Sequence, residues 1–231
     1  MLGKPKNRYQ AFAVHIGISA IIFIILAAII IFIWYPGFLF HSDGGWNGIR
    51  LVAGVDFIIG PTLTLIVYKV GKKGLMLDLT LIGLVQFACL AAGTWIVYQE
   101  RPLAIFYMDG TFYSEPKEFF EGHKINPEKA LSLDDHVPAK VYIKLPDDKE
   151  ERLKLLITQL AAGPLYAQPD RYLPYRENLD KIMQEALDPS RVDKSIADKL
   201  SKDGALFKYI ARYKEGYIEI NKQTGEYMNM Y

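Results

Sequence analysis

Two aspartates inside otherwise apolar segments are the residues of this sequence best placed to do chemistry. Asp56 lies within GVDFIIGPTLTL, and Asp78 lies within LMLDLTL. A charged carboxylate in an apolar segment of membrane-spanning length costs several kcal/mol unless it is paired or hydrated. The chemistry open to two such groups is proton sharing, as in an aspartyl protease, or polar recognition of another transmembrane helix.

Three apolar segments must position these aspartates, and they cover residues 11–35, 49–68 and 75–98. Each is about long enough to cross a ~30 Å hydrocarbon layer as a helix. The first segment also resembles a signal peptide in its basic start. It is too long for that, and it ends in WYPG, which suits an interfacial aromatic anchor and a helix stop rather than a cleavage site. We therefore predict an uncleaved three-span domain over residues 1–100.

The basic residues predict the orientation of these spans. Lys4, Lys6 and Arg8 precede the first span, and the loop KVGKKG joins the second to the third, whereas the loop 38–48 has no Lys or Arg. The positive-inside rule then places the N-terminus and KVGKKG in the cytoplasm. Residues 101–231 would lie in the periplasm of a Gram-negative inner membrane protein.

This topology separates the two aspartates in depth. Asp56 would lie ~18 Å above the inner end of its helix and Asp78 only ~5 Å above that face, at 1.5 Å per residue. Groups this far apart cannot share a proton, so an intramembrane protease is disfavoured. Asp78 is instead predicted to be a helix-start residue that the helix dipole favours.

Two interpretations of Asp56 remain open. It could be a binding determinant for another transmembrane helix, or an internal hydrogen-bond partner for His15, Gln86 or Thr94 of the same bundle. Gly54, Gly60 and Pro61 favour the first slightly. Glycines permit close backbone approach, and a proline frees a carbonyl one turn back.

Residues 101–231 have the mixed charge of an ordinary soluble domain, and they predict an α+β fold with several short antiparallel strands. Asp109-Gly110 between β-forming residues predicts a hairpin over 102–113. Asp147, with Glu150 three residues later, predicts a helix start. The segment 125–137 is predicted to be irregular. The remaining predicted elements are helices at 115–123, 147–162, 176–187 and 192–200, and strands in AKVYIKL, ALFKYIARY, YIEIN and EYMNMY.

No catalytic signature occurs, since HExxH, GxSxG, P-loop and Rossmann patterns are all missing from the sequence. Asp134-Asp135-His136 is read as a solvated loop rather than a metal fragment. The single cysteine, Cys89, is expected to be a small buried apolar residue. No basic patch indicates a nucleic-acid partner. We predict no enzyme activity, cofactor or metal.

The tyrosine-rich loop LYAQPDRYLPY, which contains Tyr172, allows two interpretations. Tyrosine-rich loops often form binding surfaces. The same residues could instead pack the helices together, and this second interpretation is favoured.

Several motifs together resemble the type IV pilin accessory proteins of the TfpX/TfpZ (FimB-like) group. They are WYPGFLF, GVDFIIGPTLTLIVY, GKKGLMLDLTLIGLVQ, RPLAIF, IKLPDDKEERLKLL, AGPLYAQPDRYLPY and EINKQTGEYMN. The resemblance covers nearly the whole chain. Phe38 is a departure, since the family has proline at this position.

The resemblance implies an inner-membrane accessory protein that supports the stability or assembly of the major type IV pilin. The matching motif positions are Tyr35, Pro36, Gly54, Val55, Asp56, Gly60, Pro61, Thr64 and Asp78. We expect the second span to bind the pilin transmembrane helix and residues 101–231 to contact its periplasmic head. Phe57, beside Asp56, and Tyr172 join the candidate contacts. The alternative function is membrane transport or periplasmic ligand sensing.

Overall fold

The computed structural model describes residues 5–231, except for the side chains of Val55 and residues 159–162. Lys4, one of the predicted cytoplasmic charges, and the Val55 side chain of the resemblance motif therefore lie outside the described part. The chain forms two compact units. We call them the helical unit, which comprises the described residues up to Phe40 and Gly44–Gln99, and the sheet unit, which comprises His41–Asp43 and Glu100–Tyr231.

The helical unit contains three helices that are long and apolar enough to cross a membrane, as predicted. They are α1 (Arg8–Trp34), α3 (Gly45–Val67) and α4 (Leu75–Gln99), with a short helix α2 (Leu39–Ser42) between the first two. Most of their large apolar side chains face outward, which suits a hydrocarbon environment and would be costly in water. Cys89 is one of the outward-facing residues, so the prediction of a buried cysteine was wrong.

Helix α3 begins four residues earlier than predicted, and this changes the depth of Asp56. Gly44 precedes the helix in the left-handed conformation, with φ of 98°. Glycine adopts this conformation at little cost, so the chain turns sharply there and Gly45 already belongs to the helix. Asp56 consequently lies about midway along α3, deeper than the sequence analysis placed it.

The sheet unit contains one mixed sheet of seven strands. Their order in the sheet is β4-β3-β1-β2-β5-β6-β7. The strands are β1 (Pro102–Met108), β2 (Thr111–Pro116), β3 (Ala139–Ile143), β4 (Tyr172–Pro174), β5 (Gly204–Ile210), β6 (Glu215–Asn221) and β7 (Tyr227–Met230).

The strand pairings correct the expectation of an antiparallel sheet. β1 pairs with β3, and β2 pairs with β5, in parallel, while the other neighbours are antiparallel. Parallel pairing requires a long crossover, which the helices between β1 and β3 and between β2 and β5 provide. β1 is central and buried along its whole length, as expected for a strand covered on both faces.

The hairpin prediction was correct. β1 and β2 are antiparallel and are joined at Asp109-Gly110, both of which have positive φ (49° and 74°). Two successive residues with positive φ form the turn type whose twist matches the flanking strands, and Asp-Gly is a favoured pair for it.

The sheet unit also contains short helices, several of which differ from prediction. The helices are α5 (Lys117–Gly122), α6 (Glu128–Leu131), α7 (Lys149–Ala162), α8 (Leu179–Gln184) and α9 (Lys194–Ala197). Helix α6 lies in a segment predicted to be irregular. Helix α7 begins later than predicted, because the carboxylate of Asp148, not Asp147, accepts hydrogen bonds from the amides of Glu150 and Glu151 (3.0 and 2.9 Å).

Helices α8 and α9 are shorter than predicted. Residues 176–178 form a single 3₁₀ turn before α8. Beyond α8, the amide of Leu187 donates to the carbonyl of Leu206 in β5 (2.8 Å). The chain therefore leaves its helical path to pair with the sheet, and tertiary hydrogen bonding overrides the local helical pattern.

Candidate functional site

Of the two π-helical segments among the described residues of the helical unit, Ile30–Trp34 ends α1 and Gly54–Ile59 lies in the middle of α3. Pro61 follows within the next turn, and it has no backbone N–H to donate. Membrane helices tolerate such a proline through local π or 3₁₀ adjustments. π segments are rare and occur frequently at functional sites.

Asp56 belongs to this π segment, and its side chain is almost entirely buried, with 4% exposed. Among the described residues, its Oδ2 has no hydrogen-bond partner. The charged group that it faces is His15 of α1. The structure thus places an acid and an imidazole together inside the helical unit.

His15 connects all three long helices. Its Nδ1 lies 2.6 Å from the hydroxyl of Thr64 on α3, and the side chain of Gln86 on α4 lies near its ring. Thr64 is 4% exposed. Asp56, His15, Thr64 and Gln86, which we call the polar cluster, therefore contribute side chains from every long helix. Interhelical bonds of this kind are typically worth ~0.6–2 kcal/mol in membranes.

Gly60 gives the polar cluster its close packing. A Cβ built at Gly60 would overlap the amide group of Gln86, so a larger residue could not be accommodated without moving that side chain. Pro61 beside it is also buried. The Gly-Pro pair thus permits α4 to bring Gln86 against the backbone of α3.

The structure places the predicted residues of the second span mainly on the inside of the unit. Asp56, Gly60, Pro61 and Thr64 are all buried. Two others are partly buried. Phe57 packs edge-to-face on Phe23 of α1, at 5.1 Å between ring centroids. Gly54 has open space around its Cα.

Tyr35 and Pro36 lie apart from the polar cluster, at the end of α1. The hydroxyl of Tyr35 donates to the carbonyl of Val97 on α4 (2.8 Å), and the ring is 1% exposed. Pro36 is partly exposed just after the helix ends. This hydrogen bond of Tyr35 therefore links the end of α1 to α4.

Asp78 is not part of the polar cluster. It lies in the first turn of α4 and forms an ion pair with Lys72 (2.7 Å). An acidic residue in the first turn is favoured by the helix dipole.

Tyr172 lies in the sheet unit and packs inside its core. It is 8% exposed, its ring lies 5.2 Å from that of Phe106, and its hydroxyl donates to the carbonyl of Tyr166 (2.7 Å). Burial raises the pKa of this hydroxyl. Tyr172 thus packs against the core of the sheet unit, on a residue of β1.

Sequence reasoning missed a second buried carboxylate, Asp43. It belongs to the sheet unit, is 4% exposed, and accepts hydrogen bonds from the hydroxyls of Ser42 (2.6 Å), Ser114 (2.5 Å) and Tyr209 (3.0 Å). Burial raises the pKa of Asp43, and the three hydroxyls partly offset this. No local pattern indicates the role, since Ser114 and Tyr209 are distant in the sequence.

The described residues contain no cluster of three or more metal-ligating side chains. Asp134 instead organises its own loop. It accepts hydrogen bonds from the ring and backbone of His136 (3.0 and 3.1 Å) and from the amide of Lys140 (3.1 Å). These bonds lower the pKa of Asp134 against the effect of its partial burial.

The architecture defines a class of protein with three helices of membrane-spanning character and a mixed-sheet domain. Comparison with known proteins then gives the family. The chain is 30% identical over 96 residues, 41% of its length, to fimbrial assembly proteins of Dichelobacter nodosus. The matched segment covers 73% of the protein of serogroups C1 and C2, and 37% of those of serogroups E1 and I.

The chain belongs to this family of fimbrial assembly proteins. It spans well under half of the length of the serogroup E1 and I relatives. No protein-family model and no solved structure matches it.

Proposed function

We propose that this protein is an inner-membrane accessory factor of type IV pilus biogenesis that binds the major pilin and supports its stability or assembly. The observation that carries the proposal is the family membership, because the relatives are named fimbrial assembly proteins. The sequence motifs that resemble pilin accessory proteins agree with it. The proposed orientation has the N-terminus in the cytoplasm and residues 101–231 in the periplasm.

The three long apolar helices suit a partner that is itself anchored in the membrane. A pilin awaiting assembly spans the inner membrane with its N-terminal helix and holds its head in the periplasm. A factor that binds it within the lipid needs a surface for an apolar helix, while its periplasmic domain contacts the head.

The polar cluster is better suited to holding the three helices together than to contacting the pilin helix directly. Asp56, Thr64 and Gly60 face inward, and the cluster is completed by His15 and Gln86 of the same chain. Of the two interpretations of Asp56, these contacts favour the internal one. The π segment and its polar contacts then set how the three helices pack.

The helical unit offers a concave surface for the pilin helix, a groove between α1 and α4 of about 520 Å³. Its walls are almost wholly apolar, and Thr94 and Tyr98 are the lining residues that carry hydroxyl groups. Trp34, Trp95 and Tyr98 lie near one end of the groove. Tryptophan and tyrosine are enriched at membrane interfaces. An apolar helix that fits such a groove replaces lipid contacts with closer packing. We assign this groove to the pilin helix.

Two neighbouring alanines allow a matched test. Ala91 lines the groove, whereas Ala92 is exposed on α4 outside it. Ala91→Trp should fill the groove and reduce the pilin co-isolated with the tagged protein from cells at least about fivefold, whereas Ala92→Trp should leave it within about twofold of wild type.

Three results would count against the proposal. If pilin never co-isolates with the wild-type protein in cells that make it, pilin binding is wrong. Equal effects of the two substitutions would move the binding surface elsewhere. The transport alternative is supported by the buried pair of Asp56 and His15. It would be favoured if Asp56→Asn abolished proton-coupled transport and if neither the wild-type protein nor this variant bound pilin.

A further inference from the structure

A cleft of about 500 Å³ opens in the sheet unit, beside the ends of β2 and β5. Three aromatic side chains, Tyr113, Phe119 and Tyr166, line it. Tyr113 and Tyr166 are stacked at 4.7 Å between centroids, and Phe119 lies 5.3 Å from Tyr166. All three pack against the buried core, so they form a firm wall.

Glu115 lines the same cleft as these three aromatic side chains. The alternation of β2 places Tyr113 and Glu115 on the same face of the strand, and both line the cleft. The Glu115 carboxylate lies near the hydroxyl of Tyr166. Burial raises the pKa of Glu115 to about 7, although Tyr166, His123 and Arg212 act in the opposite direction.

The other charged groups around the cleft do not neutralise Glu115. Arg212 already forms ion pairs with Glu118, at 3.0 Å, and with Glu100. Nδ1 of the His123 ring lies 2.9 Å from the carbonyl of Phe119. The carboxylate of Asp43 lies close enough to raise the pKa of Glu115 further. Of the described groups that line the cleft, Glu115 thus carries the negative charge that lacks a matching cation.

We propose that this cleft binds an ammonium or guanidinium group, presented by a lysine or arginine side chain of a partner protein, with Glu115 as its counter-charge. A carboxylate beside aromatic rings is suited to such a group, because charge-assisted hydrogen bonds and cation–π contacts strengthen as water is excluded. Burial disfavours the charged form of a carboxylate, and a cation that binds beside it stabilises that charged form. The assignment is independent of the groove in the helical unit, and it stands whether or not the partner is a pilin.

The test uses the full chain in detergent micelles, with binding followed by NMR of labelled Tyr and Phe rings. The probes are agmatine and N-acetyl-lysine methylamide, with N-acetyl-norleucine methylamide as the uncharged control. Glu115→Gln keeps the shape of the side chain and should weaken binding of both cations at least about tenfold. Glu128→Gln, an exposed carboxylate outside the cleft, should change it less than about twofold.

The pH profile of the wild-type protein supplies a second readout that needs no variant. With the pKa of Glu115 at about 7, ionisation rises from roughly a tenth at pH 6 to roughly nine tenths at pH 8, so cation binding should strengthen about tenfold.

A photo-crosslinking residue at the exposed cleft position Gly122, which has open space around it, then distinguishes the source of the cation in cells. A protein adduct supports a side chain of a partner. Sub-millimolar binding of free agmatine without any protein adduct would retain the cation site but overturn the assignment to a partner protein. Binding that is equal for the charged and uncharged lysine analogues, or that Glu115→Gln leaves unchanged, would overturn the site itself.

Discussion

The imidazole of His15 on α1 and the hydroxyl of Thr64 on α3 lie 2.6 Å apart, although the two residues are 49 positions apart in the sequence. The side chain of Gln86 on α4 also lies near the ring of His15, so the His15 side chain faces both of the other long helices. The packing of the helical unit therefore depends on polar contacts as well as on apolar surface. In lipid this matters more than in water, because apolar burial gives little drive for helices to associate.

The contact between His15 and Thr64 should appear as a coupling in a double-mutant cycle. We expect His15→Ala and Thr64→Val to destabilise the purified protein individually and to be non-additive by ~1 kcal/mol, measured by reversible unfolding in mixed micelles. Additive effects within ~0.3 kcal/mol would show that the two side chains do not interact.

Gly60 should tolerate alanine less well than Gly83, a glycine of α4 with open space around it. Gly60→Ala places a methyl group against the side chain of Gln86, and overpacking of this kind costs ~1–3 kcal/mol. Gly83→Ala is the matched control, because Gly83 lies on α4 with open space around it. The control should be neutral or slightly stabilising, as alanine favours helix more than glycine does. The measurement is the thermal midpoint of each variant in detergent.

A more stable Gly60→Ala than Gly83→Ala would contradict the close approach of α4 to α3. If Gly60→Ala is destabilised, adding Gln86→Ala should recover part of the loss, since it removes the group that the new methyl meets.

Asp43 should stabilise the sheet unit through its three hydroxyl contacts. Asp43→Ala removes the common acceptor of Ser42, Ser114 and Tyr209, and we expect a loss of ~2–4 kcal/mol. Hydrogen exchange of the β2 and β5 amides measures it. Asp135→Ala changes an exposed aspartate and should leave the same amides protected as in wild type. Equal protection in both variants would refute the role of Asp43.

The raised pKa of Asp43 also predicts the sign of a pH effect. The folded protein holds the Asp43 proton more tightly than the unfolded chain, so this residue favours folding at low pH. Its contribution should decline as pH rises from about 4 through the raised pKa and then stay constant. Asp43→Asn cannot titrate, so the stability of wild type minus that of Asp43→Asn should fall over this window. A difference that rises with pH would contradict the burial of Asp43.

Some features of this molecule follow from short stretches of sequence. The three long helices were predictable because apolar length alone decides them. The β1–β2 hairpin was predictable because Asp109-Gly110 encodes its own turn.

Other features depend on contacts between distant residues, which a single sequence does not encode locally. Two of the three hydroxyl partners of Asp43 lie 71 and 166 positions away in the sequence. The parallel pairing of β2 with β5 likewise requires knowledge of the crossover between them. For Asp56, the sequence predicted a polar residue that needs a partner and named His15 and Gln86 among the options. To choose between an internal and an external role for Asp56, one must know which side of α3 packs against the other helices, and the sequence alone does not give this.

The most direct test of the central claim is site-specific photo-crosslinking in living cells that make pilin. The probe is placed at position 91, in the groove between α1 and α4, and at position 92 as its outward-facing neighbour. The account predicts a pilin adduct through the pilin membrane helix at position 91, at least about fivefold stronger than at position 92. An adduct of equal strength at both positions, or none at either, would contradict the proposal that this groove holds the pilin helix.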